Sequence, residues 1–251
     1  MEAPREQGSA IAVVEAQPLL CESLLRLIAG ADGLASAGSW TSFLTAAADW
    51  NVTRPDAAIV DPSLLGDDPV EALRALSAGS DVPVLLFSRS VSADYVHLLV
   101  VAGAGGVIGT GATGATLLGA TRAVAGMQRY IPSELRIELM QRMLASERPA
   151  YLVLSPRERE VVRRAASGNS VAAIARVLVV SESTVKTHLR AAYEKLGVHD
   201  RASAALALMR IGMLGGGEGA AQPAVPALSA RRRSPQRSSP GRIGVPTLEL
   251  P

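Results

Sequence analysis

Three side chains between residues 181 and 196 have the types and spacing to read nucleic acid. In a helix that starts at Ser181 and stops at Gly197, a step of about 100° per residue gathers Val185, Leu189, Ala192 and Leu196 on one side. Ser183, Lys186, Thr187, Arg190 and Glu194 fall on the opposite side. Lys and Arg match the acceptor edge of guanine, and Thr can meet a thymine methyl or a phosphate, so this face suits a major groove. An ordinary solvated face would show the same periodicity, so spacing alone leaves both readings open. Other chemistry has weaker support. His188 lies on this helix, but His97 and His199 are far from it in sequence and nothing near it has metal-ligand spacing, so it reads as a surface histidine. Cys21, the one cysteine, excludes an internal disulfide and reads as a small core residue, with a reactive thiol the alternative. The chain has no P-loop, no G-x-S-x-G nucleophile elbow and no metal-ligand cluster, so no enzyme is expected.

The helices that would hold this face are signposted. Ser155-Pro156-Arg157-Glu158 combines an N-cap, a proline at the first helical position and the Glu of a capping box. Gly168-Asn169 ends that helix, and Asn169 or Ser170 caps a short second one running to Val177. Ser181 caps the third, and Asp200 caps a fourth that runs to about Met213. The tight turn Val177–Val180 makes the second and third helices a helix-turn-helix unit.

The front half follows a different rule. Apolar runs at Ile11–Val14, Ala57–Val60, Val82–Phe87 and, more weakly, Gly106–Ile108 read as strands buried on both faces. Between them lie helical stretches over Leu19–Ala29, Ser42–Ala48, Val70–Ala78, Ala93–Ala102 and Gly114–Ala125, an alternation that implies a parallel sheet in an α/β domain. A further helix, Glu134–Ala145, carries an apolar stripe of Leu135, Leu139, Met140, Met143 and Leu144 and reads as a connector packed on one neighbour. The expected organisation is an α/β domain over 1–130, a helical linker over 131–150, a helix-turn-helix domain over 151–214 and a disordered Pro/Ser/Gly/Arg-rich tail over 215–251.

Charge is segregated along the same boundaries. Residues 1–130 hold 7 basic and 13 acidic side chains, whereas residues 151–212 hold 10 basic and 5 acidic. A basic back half behind an acidic front half points to a polyanionic partner for the back half alone. Neither a signal peptide nor a spanning segment is recognisable, so a cytoplasmic location is expected.

The run Leu154-Ser155-Pro156-Arg157-Glu158-Arg159-Glu160-Val161, then Ile174-Ala175, Ser181-Glu182-Ser183-Thr184-Val185-Lys186-Thr187-His188, Lys195-Leu196-Gly197-Val198 and Asp200-Arg201 resembles the LuxR-type DNA-binding domain. The resemblance implies double-stranded DNA as partner. Lys186, Thr187 and Arg190 would stand at bases or nearby phosphates, and Ser181, Ser183, Thr184 and Lys195 at backbone phosphates. It also implies a homodimer, through a fourth helix with Ala204, Leu208 and Ile211 on one side, reading two half-sites related by a dyad. Val171-Ala172-Ala173 replaces residues that are usually polar in relatives, and Glu194 adds a negative charge to the DNA-facing side.

An α/β domain before such a module resembles the NarL/FixJ class of response regulators, whose first domain is a flavodoxin-like receiver with a five-stranded parallel sheet. By that resemblance Asp61 is the phosphoacceptor candidate, and Glu15, Ser88 and Thr110 complete the receiver pocket. Ala16 stands where a second acidic residue would ligate Mg²⁺, and Thr110 where relatives carry a lysine. Glu15 and Asp61 are thus the Mg²⁺ candidates, and no cofactor is expected unless the receiver is active. Each lost electrostatic group commonly costs on the order of 100-fold in rate. The expected receiver is therefore poorly phosphorylated or not phosphorylated. A conventional two-component regulator phosphorylated on Asp61 is the alternative, and an interaction protein that sequesters another regulator is a further one. A sensor kinase, a small ligand or a regulatory protein all remain open as partners.

Overall fold

The computed structural model describes residues 8–89, 91–145 and 147–214. Its front layer is a five-stranded sheet in the order β2-β1-β3-β4-β5, with every neighbouring pair parallel. The strands are β1 (Ser9–Val14), β2 (Leu34–Trp40), β3 (Ala57–Val60), β4 (Val84–Ser88) and β5 (Gly106–Gly109). Alternating with them are α1 (Pro18–Ala29), α2 (Phe43–Thr53), α3 (Pro69–Gly79), α4 (Ala93–Ala102) and α5 (Gly114–Ala125). Every residue of β3 and β4 is buried, because helices cover both faces of the sheet. On one face Ile11, Ile59 and Leu85 pack against Leu24 and Ile28 of α1 and Val124 of α5. On the other, Val14, Val60 and Leu86 pack with Trp50, Leu73 and Leu99.

The apolar runs of the sequence do not include β2. Its LASAGSW is built from small residues, and it lies at a sheet edge with only Leu34 buried. Ile11 pairs with Ser36 and Ala12 with Gly38, so Ala37 is an inserted residue, and Gly38 at φ 131° supplies the backbone that this bulge needs. Helix α2 runs past the expected Ala48 to Thr53 because Ala46 and Trp50 anchor its inner face.

A short 3₁₀ turn, Ser133–Leu135, leads into α6 (Arg136–Leu144), followed by α7 (Ala150–Val153), α8 (Pro156–Ala166), α9 (Val171–Leu178), α10 (Glu182–Leu196) and α11 (Arg201–Arg210). At four residues, α7 is too short to show a periodic pattern in the sequence. Helix α11 stops at Arg210, short of Met213, and Gly212 follows in the left-handed region. Ser155 and Glu158 form the full capping box of α8, and Ser170, Ser181 and Asp200 each cap the helix that follows. Val161, Ala165, Ile174, Ala175 and Val185 form the small core of the helix-turn-helix. On α6 only Leu139 of the expected stripe is fully buried, while Ile137, Met140, Met143 and Leu144 are exposed. Among the described residues no helix is long and apolar enough to cross a membrane. The segment 215–251, expected to be disordered, lies outside the described residues.

The two halves share one core. Tyr95 and Leu99 of α4 cluster with Leu139, Tyr151, Leu154, Leu208 and Met213. Arg159 of α8, 1% exposed, pairs with Asp68 at 2.6 Å and Glu71 at 2.5 Å and donates to the Leu154 carbonyl at 2.9 Å. A buried guanidinium is tolerable only with such counter-charges and acceptors. At the start of α4 the Ser92 hydroxyl donates to the Arg210 carbonyl at 3.1 Å. Asp94 accepts from Arg142 at 2.6 Å and from Arg210 at 3.2 Å. The two guanidiniums, Arg142 foremost, hold the Asp94 carboxyl below its ordinary value.

Candidate functional site

The strand register brings the receiver residues together at the carboxyl edge of the sheet, where an open α/β fold places its sites. Val14 pairs with Val60, Val60 with Leu86, and Ser88 with Gly109. Glu15 and Asp61 therefore leave their strands side by side, Ser88 follows on β4, and Thr110 follows on β5, where its amide donates to the Ser88 carbonyl at 3.0 Å.

The chain itself already occupies most of these groups. Glu15 is buried and accepts from the Gln17 amide at 2.8 Å. Burial raises its pKa, with the Asp61 carboxylate pushing the same way, against the amides of Gln17 and Ala16 and the charge of Arg89. Asp61 accepts from the Ser63 amide at 2.8 Å and so caps the 3₁₀ turn Pro62–Leu65. The buried Ser88 hydroxyl is hydrogen-bonded to that of Tyr95, whose phenol burial pushes up to about 12. Thr110 is exposed. Among the described residues no three His, Cys, Asp or Glu side chains gather in a way that could hold a metal. The carboxylates at hand are Glu15 and Asp61, each accepting from a nearby backbone amide, and Ala16 leaves out a third.

The helix-turn-helix surface is arranged the other way round. Val185 and Ala192 are fully buried, while Ser183, Lys186, Thr187, Arg190 and Glu194 are all exposed. The Ser181 hydroxyl accepts from the Thr184 amide at 3.1 Å and is bonded to the hydroxyls of Ser183 at 2.7 Å and Thr184 at 2.8 Å. This cluster marks the positive end of the α10 dipole, a natural seat for a phosphate. The Thr187 hydroxyl donates to the Ser183 carbonyl at 3.0 Å. Lys195 stands apart from the set: its ammonium lies 2.7 and 2.9 Å from the Glu158 carboxylate oxygens, so a phosphate there would compete with an ion pair. Burial alone would raise the Glu158 pKa, but Lys195 and Ser155 outweigh it and hold the carboxyl below its ordinary value. Ala204 and Leu208 of α11, expected on a dimer face, are core residues and Ile211 packs against that core, so the large apolar side chains that α11 exposes are Leu206 and Met209.

Three residues have roles that the local motifs do not show. Arg159 carries no local signal for partners 88 and 91 residues away, and Tyr95 none for Ser88 on the preceding strand. Val179 caps α9 at φ 52°, 89% exposed, a left-handed conformation that a β-branched residue adopts only under strain. A valine between a helix and the next helix's serine cap is the signal that could have found it.

Residues 152–208 match the family model described as bacterial regulatory proteins, luxR family. Over 212 residues the chain is 31% identical to the probable transcriptional regulatory protein NarL of Mycobacterium tuberculosis, a match covering 84% of this chain and 98% of that protein. It is 29% identical to the nitrate/nitrite response regulator protein NarP of Escherichia coli over 80% of this chain and 94% of that one. The solved structure of RcsB from Salmonella enterica serovar Typhimurium, bound to promoter rprA with the phosphomimetic BeF₃⁻, has the same fold. Its TM-score is 0.56 at 17% identity, over 81% of this chain and 99% of that one.

Proposed function

Because the chain belongs to the NarL/FixJ class of response regulators, it is a DNA-binding transcription regulator, and we propose that its receiver works without phosphorylation as the switch. The observation that carries this reading is the pocket chemistry: Glu15, Asp61 and Ser88 are each bonded within the chain, and neither a second acidic residue nor a lysine stands beside them. A phosphoryl group on Asp61 would meet the Glu15 carboxylate, with Ala16 in place of a second acidic residue and Thr110 in place of a lysine that would neutralise it. In this reading the exposed face of α10 contacts the duplex. Lys186, Thr187 and Arg190 lie at base edges, and Ser181, Ser183 and Thr184 lie at phosphates. Two copies related by a dyad meet through the outer side of α11. The protein catalyses no reaction of its own.

Asp61 is partly exposed at the acceptor position, which favours the conventional regulator as the second reading. Intact-mass spectrometry after incubation with acetyl phosphate and Mg²⁺ separates the two, with Asp61→Asn as control. The expected result is no adduct on either protein. An added phosphate on the wild type and none on Asp61→Asn would make Asp61 the switch.

A further inference from the structure

We infer that the docked arrangement of the two halves is itself the form that engages duplex DNA, with the receiver a scaffold and not a lid. The inference rests on the assignment of α10 as the DNA-reading helix. The receiver meets the C-terminal helices through Leu139 of α6, Tyr151 of α7, Arg159 of α8, the Arg210 end of α11 and, beyond it, Gly212. The outward face of α10 is not among these contacts. With the halves together, Lys186, Thr187 and Arg190 remain exposed. Two open grooves flank α10, one lined by residues between Lys186 and His199 and the other by residues between Ala172 and Glu182, and no receiver residue lines either. Leu206 and Met209, the outer side of α11, stay exposed as well, so docking leaves that face free for a second copy.

Opening the molecule would uncover Tyr95, Leu139, Tyr151 and Leu154 and strip Arg159 of both its counter-charges. It would release no group on the DNA-facing side. A change that costs apolar burial and a buried ion pair, and gains no contact with the duplex, is not the step that DNA binding needs.

A lock tests this in the full chain. A Cβ built at Gly212 lies 3.1 Å from Cγ of Tyr95, so Tyr95→Cys with Gly212→Cys, in a Cys21→Ala background, places two thiols within disulfide reach. Labelled mixed-sequence duplexes of about 40 base pairs at low salt serve as the probe. The oxidised, locked protein is expected to bind within about threefold of the same protein after reduction. A loss of about tenfold or more that reductant restores would overturn the inference. The converse variant, Asp68→Asn with Glu71→Gln, keeps the cap of α3 but removes the charge facing Arg159, and small-angle scattering reports whether the halves part. Binding is expected to stay equal or weaken. An expanded molecule that binds DNA about tenfold more tightly would show a lid and overturn the scaffold reading. Folded wild-type protein that binds no duplex at all would remove the DNA assignment of α10, and this inference with it.

Discussion

The outer face of α10 and the carboxyl edge of the sheet are both polar sites assembled from motif residues, and they treat those residues in opposite ways. On α10 the long cationic side chains stand in solvent with the helix packed behind them on Val185 and Ala192. At the sheet edge three pocket groups bond within the chain: Asp61 to the Ser63 amide, Glu15 to the Gln17 amide and Ser88 to Tyr95. A polar group already bonded within the chain has fewer acceptor sites left for a ligand, so its net gain is smaller. Residue identity nominates a site, and the company each residue keeps decides whether a ligand is welcome there.

The largest effect should come from stripping the open face. Lys186→Ala with Arg190→Ala is expected to lower duplex affinity on the order of 100-fold or more, measured by fluorescence anisotropy, while the melting temperature holds. If affinity holds instead, α10 is no more open to a ligand than the pocket, and the contrast fails. Next comes the inward-facing charge. Arg159→Leu should cost about 2 kcal/mol in urea unfolding, because Asp68 and Glu71 at 15% and 56% side-chain exposure can rehydrate where the buried guanidinium could not. Val179→Asn should gain about 1 kcal/mol by relieving the left-handed strain at an exposed site, with DNA affinity unchanged. The smallest effect concerns His97, buried beside Arg142 with Asp94 and Glu147 nearby. Burial, followed by the charge of Arg142, lowers its pKa, so below about 6.5 the unfolded chain takes up a proton that the folded chain refuses. Stability should fall as pH drops from there through the lowered folded value and then level off. His97→Gln should flatten that slope, and an unchanged slope would show that the site is as wet as the face of α10.

Much of this was legible in the sequence, for physical reasons. The capping residues Ser155, Ser181 and Asp200 act within four residues of themselves, and the runs Ala57–Val60 and Val82–Phe87 announce strands buried on both sides. Strand β2 stayed hidden because an edge strand of small residues with a bulge has neither an apolar run nor strict alternation. The pocket members could be named, but their engagement could not. The link from Ser88 to Tyr95 crosses from β4 to α4, and the grip of Asp68 and Glu71 on Arg159 spans the whole linker. Lys195 shows the same limit, since the capping box that sequence reveals at Ser155 and Glu158 gives no hint that this lysine closes on it.

The seam between the halves also bears on modularity. Gly212 lies so close to the Tyr95 ring that any side chain added there would collide with it, and Arg159 is neutralised by acids that belong to the other half. A chimera that grafts this helix-turn-helix onto a foreign receiver would inherit an orphaned guanidinium and a naked Tyr151 unless the donor also supplied acids at 68 and 71 and a flat ring at 95. Domain shuffling, which treats such modules as interchangeable, would in this lineage have to move both sides of the seam together.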